Sequence, residues 1–267
     1  MKIYSSEIFG DIPEPETFME LMEIITAEHS KETRYNVRFW RGQGDISWPI
    51  NHGAHRKLEL SGDHDFIRDY EDRIRFYEEA LLKQARFKGF GEDKGKPISD
   101  AELLAKLQHH GAATRFVDFS KNALVSLWFC VQSNLDKTGL LLGLHTDHVG
   151  VESYEGEFDE KSYDDLFNDL NKFDHPFFIE TPVVSKRIAA QHGVFLYSSF
   201  STNPTGSLKI ATKKNGTLFI AINPKLKVEA RKLLTQVFDI RAVTLFPDLD
   251  GFALANSVSS TEEAYRW

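Results

Sequence analysis

The sequence predicts an α+β fold in which helices pack on a mixed sheet. Helical periodicity dominates the first half of the chain, and apolar strand-like runs dominate the second half. No strict alternation of strands and helices accompanies them, which disfavours a parallel βαβ sheet. The 267 residues are enough to bury one large core, and 21 phenylalanines supply much of its bulk. We therefore expect a single domain over residues 1–267, with a helical extension at 1–34.

Periodicity and capping residues define the elements of the first half. Thr17 follows a Pro-Glu-Pro turn and predicts a helix start, and Ser99 opens a Ser-Asp-Ala-Glu capping box. The charges of a long helix, Glu71 and Glu78 among them, predict a solvated outer face. In order, the predicted elements are a helix over 18–29, a strand over 35–41, a loop over 47–53, a helix over 65–87, a loop over 89–97 and a helix over 103–109.

Apolar runs define the elements of the second half. Residues 149–175 are acidic and contain a helix spotted with aromatic residues, which predicts an insertion or lid over the core. Gly193 is predicted to end a short helix as its C-cap. The other predicted elements are a nearly all-apolar helix over 122–134, strands over 139–145, 177–180, 193–197 and 217–222, helices over 185–192 and 224–237, and a strand over 242–246.

The composition excludes several classes of protein. A net charge of −8 and a pI of about 5.7 oppose broad adhesion to nucleic acid or to an anionic membrane. The single cysteine, Cys130, lies in an apolar run and predicts a small buried side chain in a reduced compartment. The N-terminus has no apolar signal core, and no apolar run could cross a bilayer. These observations predict a cytoplasmic protein without a membrane partner.

Polar residues concentrate in residues 107–120, directly before an apolar segment. This block contains Gln108, His109, Arg115 and Asp118 around Gly111. Polar groups at the mouth of a buried element usually serve a pocket, because a core tolerates them only when they are paired. Two further polar clusters lie at 39–44 and 187–195. We interpret the three clusters as one site assembled from distant parts of the chain.

The residue types in these clusters leave alternatives open. Arg41 ends an apolar strand and is either part of a structural ion pair or a clamp on an anionic ligand. Gly42 and Gly44 allow close backbone approach, as loops around phosphates need. Neither a Walker pattern nor G-x-G-x-x-G is present. The alternative for Arg115 and Asp118 is a local salt bridge that fixes their loop, and this is compatible with a site beside it.

The remaining motifs narrow the chemistry. The histidines match no zinc framework and the chain has no paired cysteines, so no metal is expected. If His109 and His110 lay in a strand, they would point to opposite faces. Asp248 and Asp250 follow a turn and are predicted to cap the next helix. The chain has no Gly-x-Ser-x-Gly elbow and no catalytic cysteine context, which disfavours serine and thiol hydrolases.

With these residues laid out, the chain resembles the FRG-domain family. The family's aromatic-Arg-Gly motif matches Trp40-Arg41-Gly42, followed by Gln43, and a later Trp-Pro and arginine match Trp48, Pro49 and Arg56. Its block Gln-His-x-Gly-x-Pro-Thr-Arg-x-x-Asp-Trp-Thr matches 108–120, with three departures: Ala113, Phe119 and Ser120. The blocks at 187–195 and 245–251 also match, so the resemblance runs from about Val37 to Ala253.

The resemblance names a domain and implies no single reaction. FRG domains resemble bacterial and phage-associated proteins with roles in toxin or anti-phage systems. The aromatic-Arg-Gly motif is also similar to the first motif of arginine-type ADP-ribosyltransferases, in which the arginine holds the NAD pyrophosphate. Residues 199–202 resemble the later Ser-Thr-Ser strand of that group. The Glu-x-Glu pair of the group does not follow, and the late acidic candidates are Glu229, Asp239, Asp248 and Asp250.

These observations lead to three hypotheses. The first is an enzyme that transfers or hydrolyses ADP-ribose from NAD or a related nucleotide. Its predicted cofactor-binding residues are Arg41, Gly42, Gln43, Arg187 and Gln191. Its predicted catalytic residues are His109, Arg115, Asp118 and Asp248, the last as the carboxylate near the sugar. The second hypothesis is a non-enzymatic module that senses a nucleotide or a protein partner in phage defence. The third hypothesis is a nuclease or phosphodiesterase. Such an enzyme needs metal ligands or a pair of general bases, and the sequence shows neither.

Overall fold

The computed structural model describes residues 2–27, 38–61, 69–93, 95–146, 149–152, 162–172, 174–180, 186–210 and 216–257. In chain order the elements are β1 (Lys2–Ser6), β2 (Gly10–Glu14), α1 (Phe18–Thr26), β3 (Arg38–Gln43), α2 (Gly53–Ser61), α3 (Tyr70–Phe87), β4 (Glu92–Asp93), β5 (Lys96–Pro97), α4 (Asp100–His109), β6 (Val117–Ser120), α5 (Ala123–Val131), β7 (Gly139–His145), β8 (Gly150–Glu152), α6 (Tyr163–Leu170), β9 (Phe177–Ile179), α7 (Lys186–Ala190), β10 (Gly193–Tyr197), β11 (Phe200–Asn203), β12 (Gly206–Leu208), β13 (Thr217–Ile222), α8 (Pro224–Gln236), α9 (Ala242–Leu245) and α10 (Leu249–Ala255).

A mixed sheet organises the described part of the chain. Its seven strands run in the order β13-β7-β3-β6-β10-β9-β8. Neighbouring strands are antiparallel except for the parallel pair β8 and β9. The predicted α+β class with a mixed sheet is therefore confirmed. The predicted separation into early helices and late strands holds only loosely, since β1 to β3 come early and α8 to α10 come late.

The core lies on both faces of this sheet. Along β7, Leu140, Leu142 and Leu144 pack into one hydrophobic cluster with hairpin β1–β2, while Leu141 packs into another with α1, α5 and α8. This alternation is what the period-two geometry of a strand produces when both faces are covered. A third cluster joins α3, α4 and α6 to β9 and β10. Cys130 is buried in the second cluster, as the sequence predicts.

Capping residues begin several helices where the sequence predicts. The hydroxyl of Thr17 accepts from Glu20 N at the start of α1, and the hydroxyl of Ser99 accepts from Glu102 N at the start of α4. The Asn122 side chain accepts from Leu124 N at the start of α5. Each cap satisfies a backbone donor that has no partner within its helix. No helix in the described ranges is both long and apolar enough to span a membrane.

The predicted strand at 242–246 is wrong, because this segment forms α9. The apolar side chains of this segment do not distinguish a strand from a helix, since a short apolar run fits a buried strand and a helical turn equally well. Local hydrogen bonds do: the Thr244 hydroxyl donates to the carbonyl oxygens of Asp239 and Arg241, and it accepts from Arg241 N at 3.0 Å. These contacts close a tight turn that holds the segment helical.

Other elements differ from the predictions at their ends. The left-handed residue after α7 is His192, with φ of 49°, whereas Gly193 already begins β10, so the prediction of Gly193 as the C-cap is wrong. Helix α2 begins at Gly53 within the predicted loop region. The predicted helical extension at 1–34 contains α1, but hairpin β1–β2 precedes it. Within the predicted insertion at 149–175, residues 153–161 lie outside the described ranges, as do residues 28–34 of the extension and 35–37 of the predicted strand.

Candidate functional site

A cavity of about 300 Å³ opens where β3 and β6 meet the ends of α4 and α7. Its walls combine ionisable and amide side chains with aromatic rings, a composition typical of small-molecule sites. The lining residues are Trp40, Arg41, Gly42, Gln108, His109, Asp118, Phe119, Ser120, Ser126, Phe129, Arg187, Gln191 and Phe246. Six of the nine residues predicted for the site are among them, and they come from all three clusters of the sequence.

Arg41 carries the least compensated charge of this cavity. Its Nη1 donates to the backbone oxygen of Asp118 at 2.8 Å, while its Nε is buried and has no hydrogen-bond partner within the described ranges. Desolvation lowers the pKa of Arg41, and the nearby Asp118 opposes this shift. Arginine nevertheless stays protonated in proteins. A half-buried cation with a buried, unused Nε donor favours binding of an anionic group.

Asp118 is oriented by a chain of hydrogen bonds. Gln108 Nε2 donates to Asp118 Oδ2 at 2.9 Å, and the Thr114 hydroxyl donates to Gln108 Oε1 at 2.9 Å. Desolvation raises the pKa of Asp118, and Arg41 and the Gln108 hydrogen bond oppose that shift. The carboxylate therefore has one oxygen fixed by Gln108, and it lines the cavity as a solvent-exposed residue.

The turn after α4 explains why this motif contains a glycine. Gly111 has φ of 86°, a conformation that suits a residue without Cβ. Ala112 N donates to Leu107 O and Gly111 N donates to Gln108 O, which together form a Schellman motif. This turn ends α4 at His109 and reverses the chain, so that Thr114 returns to Gln108. The predicted end of this helix at His109 is confirmed, and His110 is its exposed C-cap, so the strand geometry considered for the two histidines does not apply.

His109 lines the cavity as a neutral imidazole. Desolvation, together with the positive charge of Arg187, lowers the pKa of His109 to about 4. At neutral pH the ring can therefore accept a proton or a hydrogen bond. This state suits the predicted acid–base role, which remains a prediction.

The lowered pKa of His109 has a consequence for stability. Between pH 6.5 and 4 the unfolded chain binds this proton more readily than the folded chain, so we expect stability to fall as pH falls through that window. His109→Gln should lose less stability than the wild type over the same range, measured as melting temperature against pH. An NMR titration that gave His109 a pKa near 6.5 would contradict this expectation.

Arg115 lies in the core and not in the cavity, so its predicted catalytic role is corrected to a structural one. It is 1% exposed, and its Nε donates to Glu78 Oε2 at 2.6 Å. Its Nη1 donates to Glu71 Oε1 at 2.7 Å, and Tyr163 and Tyr197 accept further hydrogen bonds. The proposed local salt bridge between Arg115 and Asp118 is absent from the described ion pairs. The solvated outer face predicted for α3 is also wrong at Glu78, which is 0% exposed.

Arg187 and Asp248 pair with each other across one wall of the cavity. The Arg187 guanidinium donates to both carboxylate oxygens of Asp248. Its Cζ also lies 5.3 Å from the centroid of the Phe246 ring, a cation–π contact. Arg187 lowers the pKa of Asp248 to about 2, and Asp248 Oδ1 also accepts from Gly251 N in α10. The helix-capping prediction for Asp248 is thus confirmed. A carboxylate held in this way is poorly placed to face a sugar, since both of its oxygens are engaged.

Gly42, Gln43 and Gln191 have structural partners. A Cβ on Gly42 would overlap Ser126 O and lie 2.8 Å from Cys130 N, so Gly42 allows β3 to pack directly on α5. Gln43 Nε2 donates to Trp48 O at 2.6 Å and does not line the cavity. Gln191 Nε2 donates to Leu245 O at 3.1 Å while the residue lines the cavity. The close approach predicted for the glycines therefore serves helix packing at Gly42.

The structure also adds cavity residues that were not predicted from the sequence as catalytic or cofactor-binding. Gln108 orients Asp118, and Phe129 and Phe246 form aromatic walls. The signal for Gln108 was present, since it belongs to the motif at 108–120. Phe129 gave no such signal. It lies in α5, which is apolar on nearly every face, so its pattern predicts burial at all positions and does not distinguish one that lines a cavity. Among the described residues, no group of three or more His, Cys, Asp or Glu side chains is arranged to hold a metal ion.

The fold and the cavity define an α+β protein with an arginine-lined cleft at the junction of β3, β6, α4 and α7. Residues 36–139 match the family model of the FRG domain, and the chain therefore carries an FRG domain over this span. Arg41, Gln108, His109 and Asp118 lie within the match, whereas Arg187 and Phe246 complete the wall from outside it. A comparison with curated proteins found no match, and neither did a comparison with solved structures.

Proposed function

We propose that this cleft binds NAD or a related nucleotide and supports cleavage of its N-glycosidic bond, with transfer of ADP-ribose to water or to another acceptor. The observation that carries the proposal is the Arg41 guanidinium, whose buried Nε donor finds no partner among the described residues and lies beside Asp118. A phosphate accepts such donors with strong, charge-assisted hydrogen bonds. The aromatic side chains of the cavity offer flat apolar surfaces to a base or a nicotinamide ring.

The proposed reaction assigns the sugar-facing carboxylate to Asp118 in place of Asp248. The bond between ribose C1′ and the nicotinamide nitrogen breaks, and its electron pair leaves with nicotinamide. The Asp118 carboxylate stabilises the oxocarbenium-like sugar that results. Water or an acceptor hydroxyl then attacks C1′, and its proton passes to His109, which is neutral at pH 7. Asp118 suits this role because Gln108 holds one of its oxygens and leaves the other for the ligand.

One observation favours the alternative of a non-enzymatic nucleotide or protein sensor. In the described residues, Asp118 is the one carboxylate that lines this cavity, whereas glycosidic cleavage commonly uses two carboxyl groups. A sensor needs only affinity and a conformational response, and it should tolerate His109→Ala. The cellular role that we propose, a cytoplasmic toxin or anti-phage effector, rests on the family resemblance alone.

Thermal unfolding with NAD, ADP-ribose, ATP and cyclic nucleotides tests the site. A ligand at a hundred times its dissociation constant stabilises by about 2.7 kcal/mol, which corresponds to roughly 5 to 10 °C for a chain of this size. We expect NAD or ADP-ribose to give such a shift, and Arg41→Ala to abolish it. Lys225→Ala, which removes an exposed charge on α8, serves as the matched control.

Turnover separates the enzyme from the sensor. We expect the wild type to release nicotinamide from NAD, and Asp118→Asn to retain the thermal shift while losing release. Binding without release by the wild type would favour the sensor. If none of these nucleotides shifted the melting temperature, the nucleotide site itself would be rejected.

A further inference from the structure

A second and larger cavity, of about 970 Å³, adjoins the first. The two cavities share Gln108 and Asp118, so this hydrogen-bonded pair lies at their junction. The first cavity, at about 300 Å³, is at the lower bound for ligand pockets. A molecule with two linked halves could therefore occupy both cavities and pass beside Asp118.

The second cavity has a basic wall on α2. Arg56 and Lys57 are exposed there and pair with no carboxylate in the part of the chain that the structure describes. The positive charge of Arg56 acts on both Arg41 and Asp118, which places it near the junction. The rest of the wall includes Tyr77, whose hydroxyl donates to Ala113 O at 2.8 Å and fixes the ring. A basic group beside apolar surface suits a phosphate that carries a nucleoside.

We propose that the two cavities form one cleft for a pyrophosphate-linked dinucleotide, with Arg56 and Lys57 as the second phosphate-binding group. This inference rests on the proposed nucleotide function and specifies its ligand class. One ring lies among the aromatic residues of the first cavity, and the adjoining ribose lies at Asp118, where its hydroxyls donate to the carboxylate. The phosphates lie between Arg41 and the basic wall of α2, and the second nucleoside lies along Tyr77 and Leu81.

Calorimetric titration with NAD, ADP-ribose and nicotinamide mononucleotide tests the second subsite. We expect the wild type to bind NAD at least about tenfold more tightly than nicotinamide mononucleotide, because a charged hydrogen bond to phosphate is worth about that factor. The double variant Arg56→Ala/Lys57→Ala should lose this advantage, bind ADP-ribose more weakly and bind nicotinamide mononucleotide unchanged. The double variant Lys225→Ala/Lys232→Ala removes two exposed charges from α8 and should bind all three ligands as the wild type does.

A charge inserted into the second cavity gives an independent test. Leu60 lines that cavity and is 89% exposed, so Leu60→Glu should leave folding intact and weaken NAD while sparing nicotinamide mononucleotide. Equal binding of nicotinamide mononucleotide and NAD, with both dependent on Arg41, would overturn the second subsite and leave the proposed nucleotide site standing. Binding of none of the ligands, or binding that is indifferent to Arg41→Ala, would overturn the proposed function and the subsite together.

Discussion

Replacing Glu78 with glutamine is expected to destabilise the folded protein by about 3 kcal/mol. Glu78 is fully buried and contacts Arg115 twice, through backbone N and through Nε, each at 2.6 Å. It also accepts from the Tyr163 hydroxyl at 2.5 Å. Loss of its charge leaves the buried Arg115 guanidinium with Glu71 as its remaining carboxylate partner. The expected cost is the penalty of a buried cation that has lost half of its neutralising charge.

Melting temperature is the direct measurement, and about 3 kcal/mol corresponds to a decrease of roughly 6 to 12 °C for a chain of this size. Glu79→Gln on the same helix is the matched control. Glu79 pairs with Arg75 one turn away at the surface, and pairs of this kind contribute less than about 1 kcal/mol. If the melting temperatures of Glu78→Gln and Glu79→Gln differed by less than about 2 °C, the buried pair would contribute no more to stability than the surface pair.

Replacing Gly42 with alanine is expected to cost about 3 kcal/mol or more and to weaken ligand binding as well. The added methyl group would overlap a backbone oxygen of α5, and backbone cannot rotate away as a side chain can. Strand β3 or helix α5 must therefore move. Arg41 precedes Gly42 in that strand, and Ser126 and Phe129 of α5 line the same cavity. The displacement should reach the site directly.

Chemical denaturation and the nucleotide thermal shift measure the two effects of Gly42→Ala separately. Gly193→Ala is the control, because the nearest atoms to its added Cβ lie at 3.5 Å and its backbone angle is ordinary. We expect Gly193→Ala to stay close to the wild type in both measurements. A Gly42→Ala protein with wild-type stability would show that β3 and α5 can separate freely, contrary to the packing seen here.

The sequence predicted the position of the cavity better than the contacts of the residues around it. The motif at 108–120 and Arg41 were identifiable because polar residues beside buried strands need partners or ligands. The partner of Arg115 was not identifiable, since Glu78 is 37 residues away along the chain. A signal existed nonetheless: Ile74, Glu78 and Leu82 repeat every four residues and so share the buried face of α3. The interpretation of α3 charges as solvated overlooked this spacing.

Short apolar segments marked the limit of pattern reading. The run at 242–246 fits a strand by composition, whereas the backbone hydrogen bonds from Leu245 N to Arg241 O and from Phe246 N to Ala242 O make it helical, together with the Thr244 contacts. Arg187 and Asp248 raise the same difficulty, because their pairing spans 61 positions of the chain. Residue type could suggest a ligand clamp and a free carboxylate, whereas the fold brings the two together and neutralises both.

Thr114 and Arg115 are adjacent in the chain, but their side chains belong to two different hydrogen-bond networks. The Thr114 hydroxyl supports Gln108 and, through it, the carboxylate of Asp118, while Arg115 is anchored in the core by two glutamates. A single peptide bond therefore joins a residue anchored in the core to one whose side chain supports the wall of the cleft through Gln108. The conformational entropy of ordering the Asp118 carboxylate is therefore lost when the chain folds. A ligand that binds there meets a preorganised group, and its affinity is reduced less by ordering of the site.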